Sequence, residues 1–194
     1  ELMSSYDPMY DLALAIQYEI MRLKSNIVLI GFMGSGKSIT GKLLAYRLGY
    51  SFVDTDTAIE QEYKTKIKDM FAKEGEAVFR QRETATIQKL AQKSHQVIST
   101  GGGVATKEID MQELRKNGIV IALTAMPHTI LKRTGNDKRP LLAKKSNEER
   151  LKTIIELMAK RAPFYKKADL IIKTDDTTPL QNVEIIMKYL KGVK

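Results

Sequence analysis

The sequence contains no cysteine, which excludes a disulfide framework and a thiolate zinc site and is compatible with a reducing compartment. Only two histidines occur, His95 and His128, far apart in the chain. A histidine-based metal centre is therefore not expected, and each reads as a surface or loop residue. No apolar run approaches the ~20 residues that a membrane-spanning helix needs, and the first residues lack the basic-then-apolar pattern of a secretory signal. The expectation is a cytoplasmic protein without a membrane partner. What is present suits one globular domain: 194 residues, 43% hydrophobic and 28% charged, enough to bury a core without disulfides or a structural metal.

The formal net charge is +9, which suits anionic partners of several kinds. Its distribution narrows them. Lys132, Arg133, Lys138, Arg139, Lys144 and Lys145 crowd together against one acid, Asp137, with no aromatic interleaved. A single-strand-binding surface needs stacking rings, so the cluster reads as a phosphate-handling loop and no nucleic-acid partner is expected.

Residues 1–24 form a leader in which Met9, Leu12, Ile16, Ile20 and Leu23 recur at spacings of three and four. That is the mark of an amphipathic helix, expected to pack on the domain or on a second copy of it, a frayed extension being the alternative. The chain begins at Glu1 rather than Met, which admits processing or truncation. From Asn26 onward, short β-branched runs alternate with helical patterns. Strands are expected near 26–31, 51–54, 95–100, 118–123 and 168–173. Helices are expected at 37–48, at about 57–93 in pieces broken near Gly75, and at 107–117, 127–134, 147–162 and 178–191. Ser146 and Glu149 have capping-box spacing, and Asn117-Gly118 reads as a helix stop. The alternation predicts an α/β fold in three layers, α/β/α, with a central five-stranded parallel sheet and ligands at the carboxyl ends of its strands.

The stretch "GFMGSGKS" places Gly31, Gly34, Gly36, Lys37 and Ser38 in the pattern G-x-x-x-x-G-K-[ST], between a strand and a helix. Backbone N–H groups of such a loop approach the β-phosphate, the lysine reaches the β- and γ-phosphates, and the serine hydroxyl completes the shell of Mg²⁺. Gly34, Ser35, Gly36, Lys37, Ser38 and Ile39 are the expected nucleotide contacts. A P-loop alone does not separate a kinase from a GTPase, a motor or a transporter. No N-K-x-D element specifies guanine, and the chain is too short for the coupling modules of large ATPases.

Two further stretches supply an acceptor side. "FVDTDTAIE" ends a strand with Asp54 and Asp56. If the strand geometry persists to residue 56, both carboxylates point to one side, one to hold a metal and one to accept a hydrogen bond from the hydroxyl that is phosphorylated. The same residues are also good capping chemistry. "STGGGV" places Gly101, Gly102 and Gly103 directly after a strand, which suits either close approach of a ligand to the backbone or a flexible turn.

Six stretches in order, "GFMGSGKS", "DTDTAIE", "GEAVFRQRE", "TGGG", "KRPLL" and "KRAPFY", make residues 26–191 resemble the shikimate kinase family. The resemblance implies a fold of the P-loop kinase type, similar to nucleoside monophosphate kinases, with acceptor-binding helices at about 55–93 and a mobile lid at about 134–146 within a domain spanning 25–194. It implies ATP-dependent phosphorylation of the 3-hydroxyl of shikimate, with Mg²⁺, in aromatic amino-acid precursor synthesis. By the same resemblance Asp56 binds and polarises the acceptor hydroxyl, and Asp54 is a water-mediated partner of Mg²⁺, which Ser38 also holds. Arg80 and Arg161 grip the shikimate carboxylate, as planar guanidinium groups can. Gly101, Gly102 and Gly103 line the pocket, Phe79 and Glu83 shape it, and Glu83 orients Arg80. Arg139 swings in on the lid toward the phosphates, Lys37 and Arg139 serve the transfer, and Arg133 stacks on adenine. The monomer is the expected unit, the leader being a candidate self-association surface.

The chain departs from the family pattern at three places. Ile39 then Thr40 follow Ser38 where relatives have Thr directly, which puts a side-chain contact to the α-phosphate in doubt. Lys66 stands where many relatives have Gly after the helix that contains "IE", a change expected to bear on that helix end and not on the chemistry. The leader lies outside the resemblance. Two rivals remain at this stage: a kinase for another small polyol or acid such as gluconate, and a basic nucleic-acid-binding NTPase.

Overall fold

The computed structural model describes residues 25–135 and 145–192, together with Met9, Leu12, Ala15, Ile16 and Leu142. Five strands, β1 (Asn26–Gly31), β2 (Ser51–Asp54), β3 (Gln96–Ser99), β4 (Gly118–Thr124) and β5 (Leu170–Lys173), pair in the order β2-β3-β1-β4-β5, all parallel. The helices are α1 (Lys37–Leu48), α2 (Thr55–Tyr63), α3 (Ile67–Ala91), α4 (Glu108–Lys116), α5 (Pro127–Arg133), α6 (Asn147–Tyr165) and α7 (Pro179–Leu190), with a 3-10 turn at Val104–Thr106. Among the described residues no helix is long and apolar enough to cross a membrane.

The expected five-stranded parallel sheet with helices on both faces is what the chain forms. β1 is central and buried along its whole length, so its residues serve both faces in alternation. Val28 and Ile30 enter the core packed by α3, α4 and α6 through Ile87, Leu90, Leu114 and Ile154. Ile27 and Leu29 enter the other, under α1 and α7, with Leu44, Val183 and Ile186. Each fully buried aliphatic side chain of this kind stabilises the fold by about 1.5–3 kcal/mol over its exposed state. A smaller cluster of Ile59, Met70 and Phe79 fixes α2 against α3. Because the neighbours of β1 are β3 and β4, the crevice for a ligand opens at the carboxyl end of β1, between loops that leave β1 and β3.

The helices differ from expectation between residues 55 and 91. Strand geometry does not persist to residue 56: β2 ends at Asp54, whose carboxylate accepts a hydrogen bond from the Thr57 backbone N–H at 3.1 Å and so starts α2. The helix end expected near Lys66 is made at Lys64, which takes a left-handed φ of 49° without glycine or proline beside it. Glu60 stabilises that end by accepting from Lys66 Nζ at 2.7 Å and from the Ile67 N–H at 3.0 Å. Lys66 itself is extended, with φ −68° and ψ 143°, a conformation that does not require glycine. The expected break at Gly75 is a kink inside α3, where φ is 86°. The capping box of Ser146 and Glu149 forms with both of its bonds, and Asn117 ends α4. His95 and His128 are exposed.

In the leader, Met9, Leu12, Ala15 and Ile16 are helical, but Met9, Leu12 and Ile16 are 72%, 53% and 51% exposed. At those three residues the apolar stripe is exposed in the single chain, which suits packing on a second copy and a frayed extension alike. Ile20 and Leu23 lie outside the described residues.

Candidate active site

The loop after β1 turns through Gly36, which has a φ of 98° and caps α1 without any side-chain hydrogen bond. The first N–H groups of α1 are thus left to an outside acceptor, and the helix dipole favours an anion there. Lys37 is folded over this loop, its Nζ donating to the carbonyls of Gly31 (2.9 Å) and Phe32 (3.0 Å). Ser35 is buried, its Oγ has no hydrogen-bond partner, and its carbonyl accepts from Thr174 Oγ1 at 3.0 Å. A cavity of about 500 Å³ opens over residues 33–40 and is closed on its other side by Arg133, Thr174 and Asn182. Arg133 is braced there, donating to the Gly34 carbonyl at 3.3 Å and to Thr174 Oγ1 at 3.0 Å. Ile39 lines the cavity and is 61% exposed, whereas Thr40 is fully buried with its hydroxyl unpartnered. Thr40 therefore does not stand in for the missing hydroxyl at 39.

At the mouth of the loop, Ser38 Oγ lies 3.5 Å from Asp54 Oδ2. The carboxylate has two tasks, because its other oxygen caps α2. A hydroxyl and a carboxylate beside a phosphate cradle are hard oxygen donors that suit Mg²⁺, which is held by few protein ligands and completes its shell with phosphate oxygens and water. Among the described residues no three His, Cys, Asp or Glu side chains cluster as an all-protein metal site.

The acceptor side is organised by the glycines that follow β3. Thr100 is bonded to the Leu29 carbonyl at 3.0 Å, and the Gly101 N–H donates to Thr55 Oγ1 at 2.8 Å, so this loop is pinned between β1 and the start of α2. A β-carbon on Gly101 would stand 2.5 Å from Asp56 Oδ1, one on Gly102 2.8 Å from Arg161 Nη1, and one on Gly103 2.8 Å from Arg80 Nη1. Three side chains from α2, α6 and α3 thus converge on three consecutive glycines. None of the three has a positive φ, so the absence of a side chain serves close approach and not backbone geometry. Arg161 also lies over the Phe32 ring, 5.3 Å from its centroid, which places the convergence beside the phosphate loop. Its Nη1 is buried without a hydrogen-bond partner, a costly state unless a ligand supplies an acceptor.

Glu83 is almost wholly buried, and its Oε2 accepts from Arg80 Nη1 at 2.9 Å. Burial pushes the Glu83 carboxyl above its ordinary value, against the opposing pull of Arg80 and Lys107. Burial works against the charge of Arg80, yet its bonds to Glu83 and Glu76 hold it above its ordinary value. Phe79 is 4% exposed and sits in the small core with Ile59 and Met70, its ring 5.1 Å from the Arg80 guanidinium carbon. It supports Arg80 from below. Arg139 and most of the 134–146 segment lie outside the described residues.

Three polar residues at the site had no sequence signal. Thr174 braces Ser35 and Arg133 from the end of β5, Thr55 holds Gly101, and Lys107 donates to the Arg80 carbonyl at 3.0 Å. Each contact joins positions 27 or more residues apart, beyond the reach of any local pattern.

A family model described as shikimate kinase matches residues 33–191. The chain is 46% identical over 166 residues to a shikimate kinase of Thermodesulfovibrio yellowstonii, covering 84% of this chain and 93% of that one. It is 44% identical over 167 residues to a shikimate kinase of Persephonella marina, covering 86% and 99%. Among solved structures it is similar to shikimate kinase from Acinetobacter baumannii in complex with shikimate, with a TM-score of 0.81, 33% identity and coverage of 90% of this chain and 97% of that one.

Proposed function

The chain belongs to the shikimate kinase family, phosphotransferases that convert shikimate to shikimate 3-phosphate with ATP, and we propose that Asp56, Arg80 and Arg161 form its acceptor site. The observation that carries this reading is the convergence of those three side chains on Gly101–Gly103 beside the phosphate loop. One chain supplies both the phosphate loop and these three side chains.

Arg80 and Arg161 bind the acceptor carboxylate with charge-assisted, bidentate hydrogen bonds, which gives the unpartnered Nη1 of Arg161 its acceptor. Glu83 holds one edge of Arg80, and the exposed Glu76, which accepts from Nε and Nη2 at 3.3 Å, gives up the other edge to the ligand. Asp56 accepts the proton of the 3-hydroxyl as that oxygen bonds to the γ-phosphorus and the bond from phosphorus to the ADP oxygen breaks. The loop from Gly34 to Ile39 and the N-terminus of α1 bind the phosphates through backbone N–H groups, while Lys37 exchanges its carbonyl partners for phosphate oxygens. Arg133 borders the nucleotide cavity, and stacking on adenine is the part assigned to it. Ser38 and Asp54 are the residues that would hold Mg²⁺, which when bound offsets the charge of the β- and γ-phosphates. Arg139, by resemblance alone, adds positive charge at the γ-phosphate. Most of the catalysis is alignment and charge neutralisation.

The reading is tested by ADP release at saturating ATP and Mg²⁺, with shikimate, with gluconate and with neither. Release should depend on shikimate and stay near background otherwise. Equal release without acceptor, or preference for gluconate, would overturn it.

A further inference from the structure

Behind Arg80 and Glu83 lie Lys107 and Asp110, to which the proposed reaction assigns no part. Lys107 stands just ahead of α4, four residues after Gly103, and its N–H closes the 3-10 turn on the Val104 carbonyl at 3.0 Å. Its Nζ donates to the Arg80 carbonyl at 3.0 Å and to Thr84 Oγ1. The same nitrogen is 3.2 Å from Asp110 Oδ2 and 3.8 Å from Glu83 Oε2. Asp110 is wholly buried and Glu83 nearly so. Facing Glu83 are Arg80 from its own helix and Lys107 and Asp110 from the α4 side, while Glu76 meets Arg80 at the exposed end. Two cations and two buried anions balance only while Lys107 is present.

We propose that Lys107 is a positioning residue that sets the affinity for the anionic acceptor, by neutralising Glu83 and Asp110 so that the charge of Arg80 remains available to a ligand carboxylate. It also ties the Arg80–Thr84 turn of α3 to the far end of the glycine loop, so one segment carries both the glycine that Arg80 lies against and the cation that braces Arg80. This inference rests on the reading of Arg80 as a carboxylate clamp.

Without Lys107, Arg80 would face two buried carboxylates and the exposed Glu76. The cluster then either carries a net negative charge, which repels the acceptor, or takes up a proton at Glu83, the carboxyl that burial already favours in its neutral form. Affinity for shikimate becomes dependent on pH. Without Asp110, one buried negative charge fewer opposes Lys107 and Arg80, and the effect has the opposite sign.

The test measures KM for shikimate and for ATP between pH 6 and 8 in the wild-type chain and in Lys107→Met, Lys107→Arg, Asp110→Asn and Arg80→Met. Lys107→Met should raise the shikimate KM about tenfold at pH 8, with an excess that shrinks as pH falls and the ATP KM within about twofold. Lys107→Arg should stay close to wild type, and Asp110→Asn should lower the shikimate KM. An unchanged shikimate KM in Lys107→Met, an equal rise in both KM values, or a shift of Lys107→Met and Asp110→Asn in one direction overturns the proposal. If Lys107→Met does not fold, Asp110→Asn decides alone, and a shikimate KM that is not lowered overturns it. No effect of Arg80→Met overturns the clamp and this inference together, whereas an effect of Arg80→Met without one from Lys107→Met overturns only the latter.

Discussion

Gly102 lies so close to Arg161 that a β-carbon on it would stand 2.8 Å from Nη1 of the guanidinium. The neighbouring position is tighter still, 2.5 Å from a β-carbon on Gly101 to Asp56 Oδ1. In both cases the obstructing atom is the far end of a side chain, and neither backbone has a positive φ, so alanine displaces the functional group without straining its own residue. Gly102→Ala should therefore raise the shikimate KM by about tenfold, the cost of weakening one charge-assisted hydrogen bond. Gly101→Ala should act mainly on kcat, through Asp56. Steady-state kinetics with both variants checks the division, and a matching KM effect from the two would contradict it.

Asp54 joins two functions that a single substitution can separate. Asparagine caps a helix about as well as aspartate, so Asp54→Asn should keep thermal stability, whereas Asp54→Ala should lose about 1 kcal/mol with the cap. Both variants remove the carboxylate that faces Ser38 and should raise the Mg²⁺ concentration needed for half-maximal activity. A magnesium titration beside a thermal melt separates the effects. An unchanged Mg²⁺ requirement in Asp54→Asn would leave the residue as a cap alone.

The sheet was legible because its strands are short β-branched runs between turn-forming residues, and β1 and β2 begin and end where those runs do. The phosphate loop was legible because its glycines, lysine and serine sit at fixed spacing. The start of α2 is open in the sequence: Asp-Thr-Asp-Thr fits a strand end or a cap, and only the Thr57 N–H, bonded to Asp54, decides for the cap. The left-handed turn at Lys64 has no local signature, being held by the Glu60 side chain and not by a glycine. The leader shows the limit of periodicity, which announces an apolar stripe but not what covers it. Lys107 shows a different limit, since a lone lysine in "GGGVATKE" gives no hint of the buried carboxylates that it meets.

Glu83 gives the site a pH signature. Burial raises its carboxyl above the ordinary value of 4.5, so folded Glu83 keeps its proton at pH values where the unfolded chain has lost it. The stability it contributes is present below about 4.5 and is lost as pH rises through the folded value. Glu83→Gln cannot ionise, so its stability relative to wild type should improve as pH rises above 4.5, even as the shikimate KM rises because Arg80 has lost its carboxylate. Melting temperatures of both proteins between pH 4 and 8 test this. A constant difference across that range would contradict it.

Turnover of Asp56→Asn, measured with saturating shikimate, ATP and Mg²⁺, probes the proposed site at its reacting atom. Asparagine keeps the size and the place of the side chain beside Gly101 but cannot accept the proton of the 3-hydroxyl. The expected result is a fall in kcat of about 10²-fold or more, with ATP affinity within a few-fold of wild type. A kcat close to wild type would remove Asp56 from the chemistry, and with it the reason to place the acceptor hydroxyl between the phosphate loop and Gly101–Gly103.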